Sequence, residues 1–242
     1  MKTDSKPIQF TCSLCKQTFT AQIPEHFAAA IERGQITHYA LCDSCEYRTR
    51  NIRPEIDSGS LLISEAEKTK MWNDLCPPLY RETSPAKLPD LKSYNSVQAY
   101  QYGPRGLIML GETGTGKTRS MYKLLERLFY EGHSMKIFRP LEFGDVCAEM
   151  YRTGRGKYWT DELVYDYDIM AIDDFGKVVL TDRVESTLFG VIEERISRLK
   201  PIILTTNMTG STLEHYMSAD RGPTLVRRLR EFCRSVTFRP AK

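Results

Sequence analysis

From Gly106 onward, short apolar runs alternate with longer stretches whose apolar positions recur at helical spacing. The runs are GLIML, MKIFRP, DIMAID, PIILTT and SVTFR, beginning at Gly106, Met135, Asp168, Pro201 and Ser235. Helical periodicity places helices after Thr118 and over residues 141–151, 182–199, 211–218 and 224–232. Strand runs separated by amphipathic helices predict an α/β domain with a parallel sheet flanked by helices. Upstream, SEAEKTKMWNDL reads as a helix capped by Ser64 and stopped before Cys76-Pro77-Pro78, and RETSPAKLPD reads as loop. Further upstream, PEHFAAAIERGQI carries Ala and Ile on one helical face. The expected division is a small module over residues 1–53, a helical connector over 54–85 and the α/β core over 86–242.

Composition narrows the class. The chain has 242 residues, 41% apolar and 27% charged, and no apolar run approaches the ~18 residues that span a bilayer. Its first residues, MKTDSKPIQF, lack the apolar centre of a secretory signal, so a cytoplasmic location is expected. A net charge of +3 is too slight to establish a polyanionic partner. Residues 220–242, however, hold six arginines and one lysine against Asp220 and Glu231.

The octet Gly111, Glu112, Thr113, Gly114, Thr115, Gly116, Lys117, Thr118 fits G-x-x-x-x-G-K-[ST] and lies between an apolar strand and an amphipathic helix. Its glycines let backbone N–H groups curl around phosphates, and the helix N-terminus adds favourable partial charge. Lys117 would reach the β- and γ-phosphates of ATP, and Thr118 would offer its hydroxyl to Mg²⁺. The strand YDIMAIDDFG ends in two carboxylates, where α/β sheets hold ligands. Asp173 suits Mg²⁺, and Asp174 is placed to orient or deprotonate the attacking water. At the end of PIILTTN, Asn207 can hydrogen-bond that water or the γ-phosphate; read alone it is more often a turn former, and as the third element of this series its functional reading leads.

These pieces together resemble the AAA+ ATPases, and within them the DnaC/IstB-like helicase loaders and transposition helper ATPases. The resemblance covers roughly residues 77–240 and rests on GETGTGKT, DIMAIDDFGK, ILTTNMT, and RRLRE followed by SVTF. It implies a P-loop AAA+ core, a sensor role for Asn207, and an arginine finger given in trans to a neighbouring subunit of an ATP-dependent homo-oligomer. Arg228 matches the finger position best, with Arg227 and Arg230 as rivals; the alternative for each is a solvated helix face or a backbone-phosphate contact. Two departures stand out. The second acid is Asp174 where most AAA+ members carry Glu, and the short stretch after Phe232 leaves no room for a full C-terminal lid. In such loaders the segment CPPLYRETSPAKLP would place Pro78, Tyr80 and Arg81 near the adenine.

Four of the seven cysteines, Cys12, Cys15, Cys42 and Cys45, form C-x2-C-x26-C-x2-C, which reads as a closed, structural Zn²⁺ site. Iron–sulfur ligation and redox-active thiols are the alternatives, and His26 or His38 could replace one thiolate. Such a module could dock a protein partner or bind DNA, and protein docking is favoured.

The resulting expectation is a Mg²⁺-dependent ATPase that loads a hexameric replicative helicase onto single-stranded DNA. Arg152, Arg155, Lys157, Tyr158 and Trp159 are expected either as DNA contacts or as a solvated loop. The alternatives are a transposition helper acting on duplex DNA, and a zinc-stapled adaptor holding ATP as a structural ligand.

Overall fold

The computed structural model describes residues 5–11, 18–24 and 64–240, and the chain divides into two compact units, Met1–Leu62 and Ile63–Lys242. In the first unit β1 (Ser5–Thr11) pairs antiparallel with β2 (Thr18–Pro24), Ser5 facing Pro24 and Thr11 facing Thr18. The sequence pattern predicts neither strand. The helix expected over 24–36 and all four metal-site cysteines, Cys12, Cys15, Cys42 and Cys45, lie outside the described residues.

The second unit begins with α1 (Glu65–Leu75), α2 (Pro78–Arg81), a 3₁₀ turn (Pro85–Lys87) and α3 (Leu91–Gln98). Ser64 caps α1 in a full capping box: its hydroxyl accepts from Glu67 N, and Ser64 N donates to Glu67 Oε2 at 2.9 Å. There follow β3 (Gly106–Leu110), α4 (Lys117–Tyr130), β4 (Met135–Phe138), α5 (Pro140–Arg152), α6 (Gly156–Tyr165) and β5 (Ile169–Phe175). The unit closes with α7 (Asp182–Ser197), β6 (Ile202–Thr206), α8 (Gly210–Tyr216), α9 (Gly222–Phe232) and β7 (Cys233–Thr237).

These strands form one parallel sheet in the order β4-β5-β6-β3-β7. The strands read as unbroken apolar runs because both faces are covered. Leu107, Met109, Ile169, Ala171 and Ile203 point to the face packed by α4 and by Trp72 of α1 and Val97 of α3. Ile108, Met170, Ile172, Ile202 and Leu204 point to the face packed by α5, α6, α7 and α9. Burying each such side chain is worth about 1.5–3 kcal/mol. Through Trp72, 2% exposed and 5.7 Å from the Phe129 ring, α1 joins the core of this unit.

Residues 152–159 are neither a loop nor a uniform polar surface. Residues from Gly156 begin α6, and Trp159 is buried against Phe143 at 4.8 Å between ring centroids, which removes it from the candidate DNA contacts. Arg152 pairs with Glu149 and Lys157 with Asp161 on the helix surfaces. Beneath α6, the fully buried Arg195 donates to four backbone carbonyls, those of Leu163, Tyr167, Asp168 and Pro201. Burial pulls its guanidinium down to about 10.

Candidate nucleotide-binding site

The loop between β3 and α4 runs along the C-terminal edge of the sheet, where parallel strands present their ends to ligands. Gly111 and Gly116 have φ of 145° and 95°, conformations that glycine adopts without strain. A Cβ on Gly111 would also lie 2.4 Å from the carbonyl oxygen of Phe238, so the loop closes only without a side chain there. Inside the turn Thr115 Oγ1 donates to Glu112 O at 2.8 Å. Lys117 Nζ crosses the loop and donates to Gly111 O at 2.8 Å and Glu112 O at 2.7 Å. Burial lowers the Lys117 ammonium below its ordinary value, while Asp174 and Asp173 pull it back up.

Thr118, one residue further along α4, donates to Asp173 Oδ1 at 2.9 Å. The same oxygen accepts from Thr205 Oγ1 of β6 at 2.7 Å, and Thr205 Oγ1 in turn accepts from Asp174 N at 2.8 Å. Burial raises the Asp173 carboxyl above the ordinary carboxylate value, partly offset by the hydroxyls of Thr205 and Thr118. Asp173 is 4% exposed, whereas Asp174 opens to the adjoining cavity. The two acids diverge because the β5–β6 register shifts between Ile172 and Phe175 and Asp174 takes a left-handed φ of 59°. Lys177 Nζ, 58% exposed at its side chain, pairs with Asp174 Oδ2 at 2.8 Å. From β6, Asn207 Nδ2 donates to Thr113 Oγ1 at 3.1 Å and joins the strand end to the phosphate loop.

Lys117, Thr118, Asp174, Lys177 and Asn207 thus line one cavity of about 420 Å³. Of the three residues expected near the adenine, Tyr80 lines this cavity, its ring stacked on Tyr122 at 4.9 Å. Arg81 instead ties α1 to α2, donating to Cys76 O at 2.9 Å and Asn73 O at 2.6 Å. Arg228 lies outside the cavity wall on α9, where its Nε sits 3.4 Å from Glu193 Oε1. Arg230 stands 3.9 Å from Glu214, and Arg227 is exposed.

Three residues that sequence reading passes over complete the site. Thr205 has no signal beyond being the penultimate position of an apolar strand. Lys177 is one more surface lysine until the turn at Gly176 brings it to Asp174. Lys87 lies in a segment that reads as loop and lines the cavity with Tyr80. Asp173 and Thr118 offer hard oxygens already brought together, a donor set that fits a magnesium ion. Among the described residues no group of three or more His, Cys, Asp or Glu side chains gathers to hold a metal, and no helix is long and apolar enough to cross a membrane.

The fold of the second unit is the P-loop AAA+ fold. Among solved structures, the chain superposes on the DnaC helicase loader at TM-score 0.52 and 17% identity, covering 70% of this chain and 99% of that one. It superposes on DnaI at TM-score 0.52 and 15% identity, over 66% and 87% of the two chains. AMPPCP-bound DnaA from Aquifex aeolicus matches at TM-score 0.52 and 15% identity over 66% of this chain and 50% of its own. The chain spans half the length of two DnaA structures it matches, one bound to AMPPCP and one to AMPPCP and single-stranded DNA. No family model and no curated protein matches the chain.

Proposed function

We propose that the chain is a Mg²⁺-dependent ATPase of DNA replication that loads a hexameric replicative helicase onto single-stranded DNA, with ATP as the switch. The observation that carries this reading is the convergence of Lys117, Thr118, Asp173, Asp174 and Asn207 from three strand ends at one cavity edge. The DnaC loader supports the choice within the fold, since the match covers 99% of that solved chain.

The backbone N–H groups of the loop and Lys117 bind the phosphates. Asp173 and Thr118 would hold the magnesium, which neutralises charge on the phosphate oxygens when bound. Asp174, aimed into the cavity by its left-handed backbone, orients the attacking water and accepts its proton. Asn207 senses the γ-phosphate, and its bond to Thr113 gives the loop and β6 a common position. Arg228 acts on the ATP of a neighbouring subunit, in keeping with its place outside its own chain's cavity. Cys12, Cys15, Cys42 and Cys45 hold a structural zinc that staples a helicase-docking module, and zinc content of the purified chain against a Cys42→Ser variant tests that part.

Lys177, resting on Asp174, gives the adaptor reading its one specific support, because a carboxylate tied up by an ammonium is a poorer base. Hydrolysis decides between them. Turnover that responds to single-stranded DNA or helicase and disappears in Lys117→Ala supports the loader. Tight ATP binding without turnover under every condition would leave the adaptor.

A further inference from the structure

We propose that a single-stranded nucleic acid lies along the open edge of the sheet at β7, held by its phosphates. The inference rests on the reading of the chain as a DNA-handling protein and gives that reading a surface.

β7 ends the strand order, so among the described residues one of its sides carries no neighbouring strand. Two hollows, about 330 and 740 Å³, flank it and share Arg234 and Ser235 in their walls. Lys92 and Arg239 line the first, Arg105 and Arg230 the second, and Arg234 both. The fold therefore gathers four cations from α3, the approach to β3, β7 and the residues after it, while Arg230 of α9 turns its guanidinium toward Glu214, 3.9 Å away. The single carboxylate in these walls is Asp90. Its Oδ1 accepts from Ser93 N at 3.0 Å and its Oδ2 from Arg239 N at 2.9 Å, so backbone amides absorb much of its field.

Arg234 is held in place across the groove. Its Nη2 donates to Ser96 Oγ at 2.6 Å and Ser96 O at 3.3 Å, which keeps the guanidinium between the two hollows. Guanidinium groups set among serine and threonine hydroxyls suit phosphate oxygens. A protein-docking face has an apolar, aromatic centre instead. The aromatic ring in these walls, Tyr100, is buried, with its hydroxyl donating to Arg105 O at 2.6 Å. Without rings presented to bases, the grip is electrostatic and indifferent to sequence. Four phosphate contacts on a single strand correspond to a slope of about −2.8 in log K against log salt concentration.

The test is fluorescence anisotropy of labelled oligo(dT) with the full-length zinc-loaded protein over a sodium chloride series. Arg234→Ala with Arg239→Ala should flatten the slope by about 1.4 and weaken binding at least tenfold at low salt. Arg234→Lys with Arg239→Lys should keep the wild-type slope. Arg152→Ala with Lys157→Ala, on the surface that the sequence offered either as DNA contact or as solvated loop, should change nothing. An unaltered slope in the alanine pair, or loss confined to the Arg152/Lys157 pair, overturns the groove. Poly-glutamate that displaces the oligonucleotide at equal charge concentration overturns nucleic acid as the occupant. ATP turnover measured in the absence of DNA on the same samples stays at the wild-type level in the groove variants. If wild-type protein hydrolyses ATP yet binds no oligo(dT), the groove proposal fails while the ATPase stands.

Discussion

The hydroxyl of Thr205 donates to Asp173 at 2.7 Å while accepting from the backbone N–H of Asp174 at 2.8 Å. One neutral side chain on β6 therefore ties together both acids on β5, the two carboxylates proposed to hold magnesium and to orient water. Thr205→Val keeps the shape and removes the hydroxyl. Losing hydrogen bonds to a charged group and a buried amide costs about 1.5–3 kcal/mol, so turnover should fall roughly 10- to 100-fold. Thr205→Ser should restore most of it. Equal turnover in the valine variant would show that Thr205 does not position the pair.

Asp173 carries a stability cost of its own. Its carboxyl is raised by burial, so the folded state binds a proton more tightly than the unfolded chain. That contribution is fully present below the ordinary carboxylate value of ~3.9 and is lost as pH rises through the raised folded value. Asp173→Asn removes the cost of burying the charge and, on the proposed mechanism, should abolish hydrolysis. Melting curves should find the variant as stable as wild type or more so at pH 7, with the advantage shrinking as pH falls. An advantage that grows toward acid would reverse the sign.

Tyr80 reaches the cavity from α2 and is stacked on Tyr122. Tyr80→Ala should weaken ATP binding by about 1 kcal/mol, roughly fivefold, while leaving inorganic triphosphate unaffected. Calorimetric titration with both ligands separates a base contact from a general loosening of the loop, which would weaken the two alike.

If Arg228 serves a neighbour's ATP, Lys117→Ala and Arg228→Ala should each be inactive alone and regain turnover on mixing. The first variant supplies an intact finger and the second an intact phosphate loop. Equal mixing that yields no recovery, although both variants still associate, would move the role to Arg227 or Arg230.

Arg195 is an anchor without a carboxylate. Its four carbonyl partners belong to the end of α6, the start of β5 and the residue before β6. Arg195→Met removes the donor shared by Leu163 O and Asp168 O, while Tyr167 O and Pro201 O keep Lys200 Nζ and Met170 N; the loss should be about 3 kcal/mol, or a melting temperature lower by roughly 6–12 °C. ATP affinity measured well below the transition should be unchanged, because the site lies at the other end of the strands.

The core strands and most of its helices were legible because burial on both sheet faces leaves an apolar imprint that no polar surface imitates. GLIML, DIMAID and PIILTT fall on β3, β5 and β6. α3 escaped notice because its sequence, LKSYNSVQ, hides one buried valine among polar residues. α6 was obscured by the glycines and arginines around its start, although Trp159 and Leu163 bury one face. Within the site, residues tied to ligand chemistry by a motif were legible: Lys117, Thr118, Asp173, Asp174 and Asn207. Thr205, Lys177 and the cations along β7 were not, since they meet only through strand pairing and a turn.

The run after β6 couples distant parts of the unit. Asn207 touches the phosphate loop, Met208 lies against Gly176 beside Asp174, and Thr209 caps α8. α8 meets α9 so closely that a Cβ on Gly222 would fall 1.9 Å from Glu214 O. These contacts make three consecutive residues a crank between the phosphate end of the sheet and the helix bearing Arg227, Arg228 and Arg230. Were phosphate binding to displace Thr113, the shift would reach the arginine helix through these contacts, and Asn207→Ala should uncouple the two.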